Sequence, residues 1–293
     1  LVFQLLLRGI SIRAGMDMNP HSSARSFSRI LSLVLILACA FAAAGCKKLR
    51  ARDALNKGVQ SYKGGEFDAA IEFFKQAKEL DPNLLNARLY LATAYASQYI
   101  PGAPSEENVR KGEQAVQEFN EVLQIDRNNL SAIDGIGSIL YQMAAMPFTP
   151  AKFEKSKEYH LKHIALRPED PEPYYWIGVI SWTIPFRASA DLRADYNRSN
   201  PRKQLKDEDP LPPKQRAEYA ARHRAMVDDG ITHLRRAIEI RPDYEDAMAY
   251  LNLLYRRLAD MVDSPQERDD LLREADRLVD KVKEIKQKKM DQP

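Results

Sequence analysis

The sequence predicts an all-α protein, a helical solenoid of about five helix pairs with a long insertion in the fourth. Two positional series and one recurring turn predict it. The small residues Gly58, Ala92, Gly137, Gly178 and Asn252 each follow an apolar or aromatic helical stretch, at separations of 34, 45, 41 and 74. A second series, Ala77, Val122, His163, Ala237 and Val282, is spaced 45, 41, 74 and 45, and each of its first four members precedes the next member of the first series by 15 residues. Between those markers stand Leu80-Asp81-Pro82-Asn83, Ile125-Asp126-Arg127-Asn128, Leu166-Arg167-Pro168-Glu169 and Ile240-Arg241-Pro242-Asp243. Proline suits a helix boundary there, because it lacks an amide hydrogen and disfavours helix in the residue before it.

Ahead of the repeats lies a segment of another kind. Arg25 and Arg29 precede an apolar stretch from Ile30 to Phe41, which ends in Ala42-Ala43-Ala44-Gly45-Cys46. That order is a basic n-region, an h-region too short to span a bilayer comfortably, and a small-residue cleavage site. The ending resembles a bacterial lipobox, with Ala43 where leucine is common. The resemblance implies a diacylglycerol thioether on Cys46, cleavage before it and acylation of the new amine. Residues 1–45 would then be an N-terminal extension and a cleaved lipoprotein signal peptide, with Met16 or Met18 a more natural start than Leu1. The alternative is an ordinary signal peptide cut nearby, with Cys46 an incidental thiol.

The repeat units follow in order at about 51–84, 85–129, 130–170, 171–244 and 245–289. The first carries Gly58, Tyr62, Gly64-Gly65, Phe67, Ala70, Phe74, Ala77 and Pro82, and the second Leu91, Ala92, Tyr95, Ala115 and Phe119. The third keeps Ile136, Gly137, Leu140 and Pro168, with Ser156 and His160 in packing positions; the fourth has Trp176, Ile177, Gly178, Gly230 and Pro242. The fifth, with Leu251, Asn252, Tyr255, Ala275 and Val279, is the most divergent and reads as a terminal unit. These units resemble tetratricopeptide repeats, whose period is about 34 residues. The resemblance implies a right-handed solenoid over 46–293, in which the first helix of each pair lines the inner surface.

Every departure from 34 falls between the two helices of a unit, so the insertions are expected along one edge. The largest, 183–213, contains Pro185, Pro201, Pro210, Pro212 and Pro213 with dense mixed charge. It is expected to be an exposed loop, either a partner-contacting arm or a surface elaboration. Lys214 to Ile240 has no proline and is expected to form one extended helix.

Composition narrows the chemistry. Residues 1–45 hold four of the 44 basic and one of the 41 acidic side chains, which leaves 40 of each in the remainder. A neutral mature chain gives no reason to expect nucleic acid as a partner. Cys39 lies in the h-region and would be removed with it, leaving Cys46 alone, so disulfides, thiol catalysis and cysteine-bound metal are not expected. His160 and His163, spaced i, i+3, could face a metal together, but both stand where the repeat wants packing side chains. No phosphate loop, nucleophile elbow or H-E-x-x-H helix occurs, and no catalytic residue, metal or cofactor is assigned. The run Lys281, Lys283, Lys286, Lys288 and Lys289 is explained by the helix dipole, with membrane or anionic-partner contact as the alternative.

What remains is a binding surface. By analogy with the repeat family, Tyr62, Thr93, Ser97, Asp134, Ser138, Tyr141, Tyr175, Trp182 and Arg256 are expected to project toward the groove, a polar lining with aromatic anchors for an extended peptide or helix. The Lys-Asn-Asn-Lys-Arg clamp for a peptide carboxylate is absent, with Leu55 and Val59 at two of its places. The expected function is a lipid-anchored adaptor or scaffold of the cell envelope, at the periplasmic face of the outer membrane, that holds a protein partner and serves in assembling envelope complexes. The alternatives are an accessory subunit of an envelope enzyme and, behind it, a metal-dependent or hydrolytic activity.

Overall fold

The computed structural model describes residues 46–291, and all regular structure among them is helical. The expected signal segment, with Arg25, Arg29 and Cys39, lies outside the described residues. Helix α1 covers 46–63. After it come α2 (Phe67–Leu80), α3 (Leu85–Gln98), α4 (Glu106–Ile125), α5 (Leu130–Ala145) and α6 (Pro150–Leu166). The rest of the fold is α7 (Pro171–Ser199), α8 (Pro213–Ile240), α9 (Glu245–Ala259) and α10 (Pro265–Met290). Successive helices pack on each other, and odd-numbered helices also touch across pairs, α3 on α5 and α7 on α9. The odd helices therefore form one layer of the solenoid and the even helices the other.

The constant spacing has a hydrogen-bonded cause. Four residues join α2 to α3, α4 to α5, α6 to α7 and α8 to α9. In each turn the first amide bonds the carbonyl four residues back: Asp81 to Ala77 at 3.0 Å, Asp126 to Val122 and Arg167 to His163 at 2.8 Å, Arg241 to Ala237 at 2.9 Å. The fourth amide returns to the first carbonyl: Leu84 to Asp81 at 3.0 Å, Asn129 to Asp126 and Asp170 to Arg167 at 3.2 Å, Tyr244 to Arg241 at 3.1 Å. Orphan carbonyls at the helix end are thus satisfied the same way each time. Side chains complete some of the following N-termini: the Asn129 side chain accepts from the Ala132 amide at 3.1 Å, and Asp170 from Glu172 at 3.0 Å.

Within a pair, small residues set the approach. A Cβ on Gly58 would lie 2.5 Å from the Phe74 ring, and one on Gly178 2.2 Å from Leu234 Cγ. The buried side chains form two main cores. One runs through α2–α6 around Phe74, Phe119 and Ile136, the other through α7–α10 around Tyr219, Leu234 and Leu254. Ala144, Phe153, Ile180 and Ile184 form a smaller cluster between them.

The structure corrects the reading of 183–213 as a loop. Helix α7 continues through Pro185 to Ser199, so that only 200–212 is non-helical. The expected long helix to Ile240 is present as α8, with Pro213 in its first turn, where a missing amide hydrogen costs nothing. Pro185 is buried within α7, and the Tyr219 hydroxyl, itself buried, donates to its carbonyl at 2.9 Å, tying α8 to α7 at that point. The 200–212 segment is tied down as well. Arg193, buried, donates to the carbonyls of Lys206 and Asp209 at 3.0 and 2.8 Å and to buried Asp260 at 3.0 Å. Arg257 lies 3.0 Å from the other Asp260 oxygen, and Leu211 is buried. The insertion is thus an elongated helix pair clamped to the α9–α10 turn. The other insertions are largely absorbed the same way, in helices of 20 and 26 residues at α4 and α10.

Candidate functional site

The odd-helix layer carries a connected aromatic surface. Tyr141 on α5 meets Trp176 on α7 edge-on with ring centroids 5.3 Å apart. Trp176 meets Tyr175 at 5.4 Å, and Tyr175 meets Tyr250 of α9 at 5.7 Å. Tyr250 in turn meets Trp182 at 5.5 Å, and Trp182 stacks on Phe186 at 4.5 Å. The first five rings are half-buried and Phe186 is 44% exposed, so each keeps an accessible edge or face. Burial, followed by the nearness of Tyr250 and Asp246, holds the Tyr175 phenol well above its ordinary pKa. Tyr250 is raised by burial, with Tyr141 and Asp246 adding to it. Both phenols stay neutral hydrogen-bonding groups at physiological pH. The surface can stack on apolar, aromatic or cationic groups and donate from its rim.

A second feature lies toward the N-terminus of the same layer. Val59, Tyr62, Phe74, Leu89, Tyr90 and Thr93 line an open, mainly apolar hollow of about 400 Å³. The Tyr62 hydroxyl and Ser97 Oγ are 2.7 Å apart, linking α1 to α3. Thr93 donates to the Leu89 carbonyl at 2.8 Å, which leaves its methyl for the hollow.

The residues expected in the groove therefore divide. Tyr141, Tyr175 and Trp182 are in the aromatic surface, Tyr62 and Thr93 are in the hollow, and exposed Ser97 stands beside them. Ser138 is exposed and accepts from Gln142 at 3.3 Å. Asp134 is engaged elsewhere, 2.6 Å from His163 Nδ1, and burial raises its pKa against the opposing pull of that histidine. Arg256 bonds Asp276 of α10 at 2.5 Å and Asn252 at 2.9 Å. Neither offers an uncommitted charge. Cys46 is exposed.

The two histidines of α6 diverge. His160 is buried, stacks parallel to Trp176 at 6.1 Å and fills the space against Gly137. Burial, then the neighbouring His163, lowers its pKa to about 4. His163 lies between Asp134 and Asp170, the latter at 3.3 Å from Nε2. Among the described residues no group of three or more His, Cys, Asp or Glu is arranged to hold a metal ion.

Residues 55–84, from α1 through α2 into the following turn, match the family model described as tetratricopeptide repeat. The fold is a tetratricopeptide-type solenoid. Among solved structures the solenoid is similar to one of the MamA protein, at 16% identity over 79% of this chain and 93% of that chain, with a TM-score of 0.50. It is also similar to MamA 41-end from Desulfovibrio magneticus RS-1, at 15% identity over 82% and 96%, with a TM-score of 0.53. At such identities the likeness is one of fold. No curated protein sequence matches the chain. Solenoids of this kind generally present extended surfaces for binding another protein.

Proposed function

We propose that this protein is a lipid-anchored adaptor of the cell envelope, holding a segment of a protein partner against the odd-helix layer of its solenoid. The observation that carries the reading is the aromatic surface shared by α5, α7 and α9. Rings held in place by neighbours give up little conformational freedom on binding, and aromatic residues dominate binding energy where they are desolvated. The 200–212 segment at the edge of the longest pair is mostly exposed and polar and would offer the partner a second, separate contact. The lipobox-like sequence ending at Cys46, and the exposure of that cysteine, support the anchor. The absence of an aspartate after Cys46, where Lys47 stands, favours the periplasmic face of the outer membrane and a role in assembling envelope complexes.

Crosslinking of the native protein in cells, followed by mass spectrometry, tests the adaptor. One dominant envelope partner should be recovered, and the paired change Trp182→Ala and Tyr250→Ala should weaken its capture about ten-fold or more. A partner retained undiminished by that variant would remove the aromatic surface from the reading. Cys46→Ala tests the anchor separately: a cleaved product still held on membranes would count against lipidation.

A further inference from the structure

We propose that the beginning of α1 is a contact site for anionic phospholipid headgroups, made by Lys47, Lys48, Arg50 and Arg52 around Leu49. Residues 46–50 form five consecutive helical positions that are all exposed, and Arg52 is exposed beside them. Lys48 and Arg52 are four apart and Lys47 and Arg50 three apart, so each pair shares a helix face. The acid that follows, Asp53, is paired with Lys57 at 2.8 Å, and no ion pair among the described residues involves the four basic side chains. Several basic residues elsewhere are committed, Lys78 to Glu118 at 2.6 Å and, in the C-terminal run, Lys289 to Glu245 at 2.7 Å. The C-terminal lysine run is thus partly neutralised within the fold, whereas the α1 tip is four positive charges presented to solvent.

Leu49 decides between kinds of anionic partner. It is 70% exposed in the middle of the basic group. An exposed leucine flanked by lysine and arginine suits a boundary between headgroups and acyl chains, where apolar insertion and attraction to anionic lipid act together. With the lipids of Cys46 holding the chain at the bilayer, a basic patch beside them adds attraction specific to anionic headgroups. The inference rests on the lipid-anchor reading for what brings the tip to a membrane.

The test is co-sedimentation of the purified full-length protein with vesicles of phosphatidylcholine alone or with about 30% phosphatidylglycerol. The protein should prefer the anionic vesicles by about five-fold per basic residue, and the preference should shrink as salt rises toward about 0.5 M. Lys48→Gln, Arg50→Gln and Arg52→Gln together should lower that preference about 100-fold, with binding to neutral vesicles and helical content unchanged. Lys281→Gln with Lys288→Gln should leave it intact. Wild-type protein without anionic preference, or a triple variant that keeps it, would overturn the inference. Tighter binding to polyglutamate than to anionic vesicles of equal charge would assign the tip to an acidic protein and also overturn it. Cys46→Ser isolates the anchor: weaker binding to neutral vesicles with the anionic preference retained leaves the tip standing on its own.

Discussion

At the scale of single residues, His160 shows how one substitution in a repeat position writes a pH dependence into the fold. The position calls for a packing side chain, and the imidazole supplies it by stacking on Trp176 and filling the space against Gly137. Its pKa is about 4 in the folded protein against 6.5 for the free side chain, so the unfolded chain binds the proton more readily. The stability it contributes is complete above pH 6.5 and falls as the pH drops toward 4, by about 3 kcal/mol over that window. Urea melts of wild type and His160→Phe at pH 7.5 and 4.5 should differ in this way, the variant losing markedly less on acidification. Gly178 makes the opposite point about size. A methyl there would meet Leu234 Cγ at 2.2 Å, and Gly178→Ala should cost about 1–3 kcal/mol in the same melts.

The elements show which parts of the fold were legible and which were not. The boundary turns could be read because each uses the same local hydrogen bonds, and local chemistry repeats in sequence. The helix through Pro185 could not, because proline content argued for a loop. The features that override it are distant in sequence: the Tyr219 hydroxyl on the Pro185 carbonyl, and Arg193 on Asp260 67 residues away. The groove was half legible. Tyr141, Tyr175 and Trp182 follow from repeat register, while Trp176 and Tyr250 were missed although both stand two places before the small marker residue of their unit, as does Tyr90 beside the apolar hollow. Phe186 has no such register signal. The clamp is open to direct test. Arg193→Ala leaves buried Asp260 to Arg257 alone and unpairs the Lys206 and Asp209 carbonyls, and should cost about 3 kcal/mol in urea melts. Deleting 183–213 should destabilise α9 and α10 rather than remove a dispensable loop.

For the whole molecule, stability is a chain of nearest-neighbour contacts, and its ends are its weak points. Ala275 is the buried residue of α10, a helix of 26 residues, whereas α5 and α9 each bury seven or eight. Amide exchange should therefore be fastest along the far half of α10 and slowest in α5 through α9, and uniform protection would contradict a solenoid that opens from its end. The same linearity separates the functional parts. The α1 tip lies in the first pair and the aromatic surface in the third to fifth, so a membrane and a partner can be held together without competing for one face.

The aromatic surface also gives the protein a built-in optical label. The chain has two tryptophans, and both belong to that surface, Trp176 between two tyrosines and Trp182 stacked on Phe186. Excited selectively, its tryptophan emission reports the groove alone, because the 13 tyrosines spread over the chain do not absorb at the red edge. A ligand that seats there should shift or quench the whole tryptophan signal, while vesicle contact at the distant α1 tip should leave the spectrum as it was.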